Sequence, residues 1–171
     1  DMLHHGHMNI LEEARKYGDI IVGLLTDSAI AEYKRLPYLN YKQREKIIIN
    51  LRGVTEVVPQ NEWDYSHNIK KIRPDFVVHG DDWKIGADKT LRKNVIKTLK
   101  EYGGKLIEIP YTKGVSSEAL IDSERIYSTT PEIRISTLSR LISSKSIVRI
   151  IEAHSPLSAI IAEETVLKTG M

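Results

Sequence analysis

The chain has 171 residues, 41% of them hydrophobic and 28% charged, which fits one compact domain or one domain with a fragment of a second. The net charge of +2 argues against nucleic acid as the main partner, and no apolar run approaches the roughly 20 residues that a membrane span needs. The absence of cysteine excludes a disulfide framework and a thiolate metal site, and it fits a cytoplasmic protein.

The chain opens with a predicted helix followed by a predicted strand. Apolar residues recur at helical spacing after Gly6, so a helix runs to about Tyr17, and Gly18 ends it. The continuous apolar run 20–25 predicts a strand that is buried on both faces. Residues 26–28 then predict a turn or a helix cap.

The same alternation continues downstream. Predicted helices cover residues 41–51, 66–72 and 89–102, and predicted strands cover residues 55–58, 76–79 and 105–109. Alternating strands and helices indicate an α/β fold with a parallel, doubly wound sheet and helices on both faces. Ligands of such sheets bind outside the carboxyl ends of the strands. The residues that follow the strands here, at 26–27, 80–83 and 111–114, are polar or contain glycine, as a binding rim requires.

The last part of the chain differs in composition. A polar, turn-rich stretch around residues 128–131 predicts a domain boundary. Beyond it, residues 135–142 predict a helix, residues 147–151 a strand and residues 157–164 another helix. This tail of about forty residues is too short to form a stable core by itself.

The segment His4-His5-Gly6-His7 lies at the entrance to the first helix, where unpaired amides and the helix dipole favour an anion. Two imidazoles separated by Gly6 can face the same phosphate, while the glycine lets the backbone approach it closely. We therefore predict a triphosphate site, and it is not a P-loop because the chain lacks G-x-x-x-x-G-K-[ST]. A metal site at His4 and His7 and a purely structural pair remain alternatives.

Five ordered motifs between Asp1 and about Leu120 resemble the HxGH nucleotidyltransferases, in particular the glycerol-3-phosphate and related cytidylyltransferases. Residues 1–7 resemble the family's F-D-x-x-H-x-G-H without its first residue, and residues 26–27 resemble the end of its second strand. Residues 41–44 resemble its Y-E-x-R helix start, residues 80–83 its G-D-D-W, and residues 111–118 its R-T-E-G-I-S-T-T. The resemblance implies a Rossmann-like fold whose first strand lies upstream of Asp1 and is missing here.

The resemblance also implies the reaction. CMP would pass from CTP to a small phosphonate or phosphate, with Mg²⁺ held by the triphosphate and pyrophosphate as the leaving group. His4 and His7 would stabilise the transition state, and Lys34 or its neighbour Arg35 would clamp substrate and triphosphate. The nucleotide would be held by Gly6, Arg35, Arg44, Asp81, Asp82, Tyr111, Thr112, Gly114, Val115, Ser116 and Ser117. Homodimers are frequent in the family.

Several of these residues also have a simpler interpretation. Lys34 and Arg35 can be solvated loop charges. Asp81 and Asp82 can form a turn, because Gly-Asp pairs are common turn formers. The residues that we assign to packing or structure are Trp63, Trp83, His67 and His79.

Departures from the family pattern bear on the acceptor. Tyr111 replaces the arginine that opens R-T-E-G-I-S-T-T. Ser66 stands where the glycerol-phosphate enzymes have a substrate lysine, which argues against glycerol phosphate as the acceptor. Ile121 stands where related adenylyltransferases carry an arginine, which favours cytidine.

Residues 147–159 resemble the opening of phosphoenolpyruvate mutase. The chain then divides into a cytidylyltransferase-like domain (1–127), a linker (128–134) and the truncated start of a mutase-like barrel (135–171), from which no mutase activity is expected. This tail favours a phosphonate acceptor, 2-aminoethylphosphonate or 2-hydroxyethylphosphonate. The alternatives are a phosphate alcohol such as glycerol 3-phosphate, or a nucleotide-binding fragment without catalysis.

Overall fold

The computed structural model describes residues 2–84, 88–110, 131–148 and 151–169. Four strands lie in this part of the chain: β1 (Ile20–Leu25), β2 (Val54–Gln60), β3 (Phe76–Gly80) and β4 (Lys105–Ile109). The helices described are α1 (His5–Ala14), α2 (Asp27–Tyr33), α3 (Tyr41–Ile49), α4 (Ser66–Ile72), α5 (Lys89–Lys100), α6 (Pro131–Ser144) and α7 (Pro156–Thr169). A 3₁₀ turn, Asp81–Lys84, follows β3 directly.

The strands are parallel, as predicted. β1 pairs with β2, with Val22 opposite Val57, and β3 pairs with β4, with Val78 opposite Ile107. Within the described residues these pairings form two separate two-stranded sheets instead of one continuous sheet. The prediction that β1 is buried on both faces is wrong at Ile21, which is 40% exposed because β1 has a strand neighbour on one side only.

One helix boundary differs from the prediction for a local reason, and the helix cap predicted at residues 26–28 is present. The first helix ends at Ala14, because the amides of Lys16 and Tyr17 bond three residues back, in a tightened turn that leads to Gly18 at φ +137°. Residues 26–28 open a full helix, α2, since the Thr26 hydroxyl accepts the Ala29 amide at 3.3 Å and caps it.

The tail is helical over part of the predicted linker, and it is irregular at the described residues of the predicted strand. Pro131 begins α6, so residues 131–134 of the predicted linker belong to this helix. The predicted helices at 135–142 and 157–164 are present within α6 and α7. The predicted strand is wrong at Ile147, Val148 and Ile151, which are irregular, and the two isoleucines are 74% and 61% exposed, without the cover that a strand requires. The division into domains at 127 and 135 stays a prediction.

The largest buried cluster joins the helices of the second half to the turn after β3. Leu91, Val95 and Leu99 repeat every fourth residue along α5, so they form one stripe that faces Ile69 and Trp83. Trp83 is only 2% exposed, which confirms its interpretation as a packing aromatic. The core therefore fixes the 3₁₀ turn at the carboxyl end of β3.

A carboxylate at the end of β4 ties this turn to α5. Glu108 accepts hydrogen bonds from the Trp83 indole at 3.0 Å and from Arg92 through both carboxylate oxygens at 2.8 Å. The hydrogen bonds from Arg92, with the further bond from Trp83, lower the pKa of Glu108 to about 2. Because the bonds need the ionised carboxylate, Glu108 stabilises the fold in its charged form.

We expect the Glu108→Gln variant to lose about 1–2 kcal/mol of unfolding free energy at pH 7, because Arg92 loses its charged partner. The folded pKa lies below the ordinary value of 4.5, so this contribution is complete above pH 4.5 and disappears as the pH falls toward 2. Urea unfolding at several pH values measures it. The matched control is Glu101→Gln, whose ion pair with Lys70 at 3.8 Å is exposed and should matter little. Equal effects of the two substitutions at pH 7 would contradict the prediction.

Candidate active site

The start of α1 is built by two histidines that cap it reciprocally. His4 is the N-cap, and its Nδ1 accepts the Gly6 amide at 3.2 Å. His7, in the first turn, accepts the His4 amide on its own Nδ1 at 3.3 Å. The centroids of the two imidazole rings lie 4.1 Å apart. Gly6, which lies between the two histidines in the sequence, is buried. The predicted pair of imidazoles at the helix entrance is therefore present.

These hydrogen bonds determine which ring nitrogen carries the proton. A nitrogen that accepts an amide hydrogen bond has no proton of its own, so each neutral imidazole keeps its proton on Nε2. Burial lowers the pKa of both rings; His5 lowers that of His4 further, and His4 lowers that of His7 further. Both histidines are thus neutral donors through Nε2 at neutral pH.

The structure corrects one expectation about the helix entrance. The sequence predicted that unpaired backbone amides would meet the anion, but the amides of His4 and Gly6 bond to the imidazoles. The His7 amide bonds to the His4 carbonyl at 2.9 Å. The segment still offers an anion the two Nε2 hydrogens and the positive end of the helix dipole.

The carboxyl end of β3 adjoins this helix start. Helix α1 packs against β3, and the Asp82 carboxylate is close enough to His7 to raise its pKa against the effect of burial. Gly80 is buried at the turn, and a Cβ atom there would lie 2.9 Å from the Asp82 Oδ1. Asp81 pairs with Lys84 at 3.4 Å. Asp81 and Asp82 do form a turn, as the alternative interpretation held, and that turn stands beside the histidine pair.

His79 takes part in the same corner of the molecule. Its ring stacks on Trp83 at 3.8 Å with an angle of 13°, and its Nδ1 lies 2.8 Å from the Gly80 carbonyl. The stack supports its assignment as a structural histidine.

A second group of predicted residues lies where α2 ends. Lys34 is the C-cap of α2, and its ammonium lies 5.6 Å from the Trp63 ring, which also contacts Tyr33 at 5.2 Å. The Arg35 guanidinium lies 4.4 Å from the Tyr38 ring. Cation–π contacts of this kind hold a charge in place while leaving it able to bind an anion.

Arg44, predicted to bind the nucleotide, has structural partners in this conformation. Its guanidinium donates to Asp27 Oδ1 at 2.7 Å and to the Leu39 carbonyl at 3.2 Å. The side chain is only 5% exposed. Its role toward the nucleotide stays a prediction, and so do those of the residues outside the described part of the chain: Tyr111, Thr112, Gly114, Val115, Ser116 and Ser117.

Sequence analysis missed a buried glutamine that shapes the loop carrying Trp63. Gln60 is 3% exposed, and its amide donates to the carbonyls of Glu62 at 2.7 Å and Asp64 at 3.0 Å. Its oxygen accepts from Asn68 at 2.7 Å. A polar residue that closes an apolar strand was the available signal, because a buried amide must find partners for its donors and acceptor.

Neither a metal cage nor a membrane-spanning helix occurs in the described part of the chain. Among residues 2–84, 88–110, 131–148 and 151–169, no group of three or more histidine, aspartate or glutamate side chains could hold a metal ion. The described carboxylates therefore do not form a cage for Mg²⁺. No helix in these ranges is long and apolar enough to cross a bilayer.

Comparison with known proteins shows the family and the fold of the chain. The family described as cytidylyltransferase-like matches residues 1–149. Glycerol-3-phosphate cytidylyltransferase of Bacillus spizizenii is 36% identical over 119 residues, which cover 68% of this chain and 84% of that protein. Ethanolamine-phosphate cytidylyltransferase of Dictyostelium discoideum is 36% identical over 123 residues. That match covers 71% of this chain, but the chain spans only 33% of the length of this relative.

A solved structure supports the same architecture. The lipopolysaccharide core biosynthesis protein from Thermoplasma volcanium GSS1 superimposes with a TM-score of 0.53 at 21% identity. The match covers 67% of this chain and 91% of that chain. It confirms the α/β fold with parallel strands.

Two substitutions of His4 should separate capping from anion binding. His4→Asn keeps a side-chain oxygen for the Gly6 amide, so we expect its unfolding free energy to stay close to that of the unaltered chain. His4→Ala should lose about 1 kcal/mol, because the amide loses its partner. Thermal or urea unfolding gives both values. Equal losses in the two variants would show that the cap contributes nothing.

The titration of His7 should respond to Asp82. We expect the His7 midpoint, followed by NMR of its ring protons, to lie below the ordinary value of 6.5 because burial disfavours the charged ring. In Asp82→Asn the midpoint should fall further, since the carboxylate that raises it is gone. Asp19→Asn, which removes an exposed carboxylate from the turn before β1, should leave the midpoint unchanged. If the titration midpoint of His7 is the same in Asp82→Asn as in the unaltered chain, Asp82 does not act on the His7 ring.

Proposed function

This chain belongs to the cytidylyltransferase-like family of nucleotidyltransferases, and on that premise we propose that it transfers CMP from CTP to a small phospho-alcohol. The observation that carries the proposal is the reciprocal His4–His7 cap, which leaves two neutral donors at a helix start. In the reaction, an oxygen of the acceptor phosphate bonds to the α-phosphorus of CTP. The bond from the α-phosphorus to the bridging oxygen breaks, and pyrophosphate leaves.

His4 and His7 act on the charge that develops on the triphosphate. Each donates one hydrogen bond from Nε2 to a phosphate oxygen, and the hydrogen bonds on Nδ1 keep each ring in that tautomer. Because both donors are fixed before the substrate arrives, little reorganisation is needed when the pentacoordinate phosphorus forms. The dipole of α1 adds to the same effect.

The acceptor phosphate is recognised by the cations at the end of α2. Lys34 is held against Trp63 and Arg35 against Tyr38, so both charges are restrained on one short loop. In this proposal the two are interchangeable as the clamp on the phosphate of the acceptor. Their recognition of an anionic acceptor follows from charge, and their location after β1 agrees with ligand binding at the carboxyl ends of parallel strands.

The acceptor is a phosphate ester in this proposal. The comparisons support that alternative better than the phosphonate predicted from the tail, because both cytidylyltransferase relatives are named for phosphate esters, glycerol 3-phosphate and ethanolamine phosphate. The names of these relatives carry no reference to phosphonates or to a mutase. Glycerol 3-phosphate and ethanolamine phosphate share a phosphomonoester group, and this shared group is what we assign to Lys34 and Arg35.

Magnesium is expected to enter with the triphosphate of CTP. Since the described carboxylates do not form a cage for the ion, no step of the mechanism is assigned to a metal held by the protein. The histidine pair and the cations after α2 act through hydrogen bonds and charge.

We expect pyrophosphate release when the chain is given CTP, magnesium and either glycerol 3-phosphate or phosphoethanolamine. In His7→Ala, kcat/KM should fall by about 100-fold or more, since a donor to the developing charge is lost. His67→Ala is the matched control, because this exposed histidine on α4 lies outside the proposed site. The assay is repeated with 2-aminoethylphosphonate and 2-hydroxyethylphosphonate.

The outcomes separate the candidate functions. Turnover that prefers a phosphonate would overturn the acceptor class while keeping cytidylyl transfer. CTP binding without turnover on any acceptor would favour a non-catalytic nucleotide-binding protein. Equal activity of His7→Ala and His67→Ala would remove the histidine pair from the mechanism.

A further inference from the structure

One carboxylate joins two arginines that come from distant parts of the chain. Asp27 Oδ1 accepts from Arg44 at 2.7 Å, and Asp27 Oδ2 pairs with Arg140 of α6 at 3.5 Å. Each arginine also binds a backbone carbonyl of the α2–α3 loop: Arg44 binds Leu39 at 3.2 Å, and Arg140 binds Tyr38 at 2.8 Å. We call the set of Asp27, Arg44 and Arg140 the Asp27 clasp.

The arginines of the Asp27 clasp bind the α2–α3 loop, which carries Lys34 and Arg35, the cations proposed to bind the acceptor. Two consecutive carbonyls are bound at one end of the loop, and Lys34 and Arg35 stand at its other end. Between them, Leu36 and its neighbour Pro37 are buried. The ring of Tyr38, whose carbonyl Arg140 binds, lies under the Arg35 guanidinium at 4.4 Å. Tyr38 therefore connects the two arginines, because its carbonyl accepts from Arg140 and its ring contacts Arg35.

The clasp is sheltered enough to matter energetically. The side chains of Asp27 and Arg44 are 19% and 5% exposed, and that of Arg140 is 22% exposed. Ion pairs that are partly withdrawn from water are screened less than surface pairs, and the loss of one partner leaves the other poorly solvated. Removal of Arg140 would thus leave both the Tyr38 carbonyl and one oxygen of Asp27 without this cation.

Arg140 gives α6 a polar attachment to α2 and to the loop that follows α2. Ile135, Leu138 and Ile142 of α6 are 66%, 50% and 58% exposed, so these side chains do not anchor the helix. The helix nevertheless packs against α2, and Arg140 supplies a hydrogen bond and an ion pair there. The family match, which extends to residue 149, includes α6.

We propose that Arg140 is a positioning residue for the acceptor: from α6 it fixes the α2–α3 loop, and thereby the place of Lys34 and Arg35. This inference rests on the proposed function and deepens it. It also gives the segment beyond residue 134 a role in cytidylyl transfer. Arg140 acts on the acceptor through the loop, so its effect falls on acceptor binding more than on CTP.

The test compares Arg140→Gln with Arg134→Gln, a matched loss of an exposed arginine from the same helix. Amide hydrogen exchange of residues 34–40 is measured together with KM for CTP and for the preferred phosphate ester. In Arg140→Gln we expect the loop amides to exchange faster and the acceptor KM to rise about tenfold, with the CTP KM within about twofold. Arg134→Gln should match the unaltered chain in every respect.

The results distinguish failure of this inference from failure of the proposed function. An active protein whose loop exchange or acceptor KM is indifferent to Arg140→Gln would overturn the positioning role, and so would an equal rise of both KM values. An unaltered chain that turns over no acceptor would instead overturn the proposed function, and with it the acceptor role of Arg140. Should Arg140→Gln not fold, Arg140→Lys retains a charge for Asp27 but lacks the forked donor, and the same selective change, smaller in size, is expected.

Discussion

The reciprocal hydrogen bonds between His4 and His7 are the interaction on which the rest of the site depends. Each ring uses its Nδ1 to accept a backbone amide, so the direction of α1, the tautomer of both histidines and the burial of Gly6 follow from one local arrangement. An imidazole that caps a helix and still has a donor to offer does two tasks that an ionised aspartate cap, which can only accept, could not combine. The chemistry proposed for the chain uses the nitrogen that capping leaves over.

The two groups of site residues are supported in different ways. The turn after β3 rests on the apolar core, because Trp83 is buried there and Glu108 holds its indole. The loop after α2 rests mainly on charge, through Asp27 and the arginines that bind it. The acceptor side of the site therefore depends mainly on sheltered ion pairs, and the side that adjoins the histidines depends on a buried aromatic ring as well.

What could be predicted from the sequence was set by how local each interaction is. His4 and His7 are three residues apart, so a motif and a helix start were enough to predict them, and the strand at 20–25 was predicted with its observed bounds because its apolar run is continuous. The strand predicted at 147–151 is absent at its described residues, 147, 148 and 151, because branched residues favour a strand only where a partner is present. Arg140 could not be predicted as a neighbour of Asp27, since their contact depends on how two distant helices meet.

Two structural details could not be predicted from sequence patterns. A motif predicts a nucleotide role for Arg44, but the bonds from its guanidinium to Asp27 and to the Leu39 carbonyl depend on how α2, α3 and the loop between them meet. The composition of residues 128–131 resembles a linker, whereas Pro131 is the first residue of a helix, where its missing amide hydrogen is not needed.

The bond between Arg140 and Tyr38 spans 102 residues of chain, and this distance has a consequence for the order in which the protein acquires its parts during synthesis. The hydrogen bonds of the histidine cap join residues two and three apart, all of which leave the ribosome long before α6. The α2–α3 loop, by contrast, cannot be bound by Arg140 until α6 has been translated and has emerged from the ribosome. A nascent chain would therefore have the two histidines proposed to bind the triphosphate in place well before it could bind the proposed acceptor.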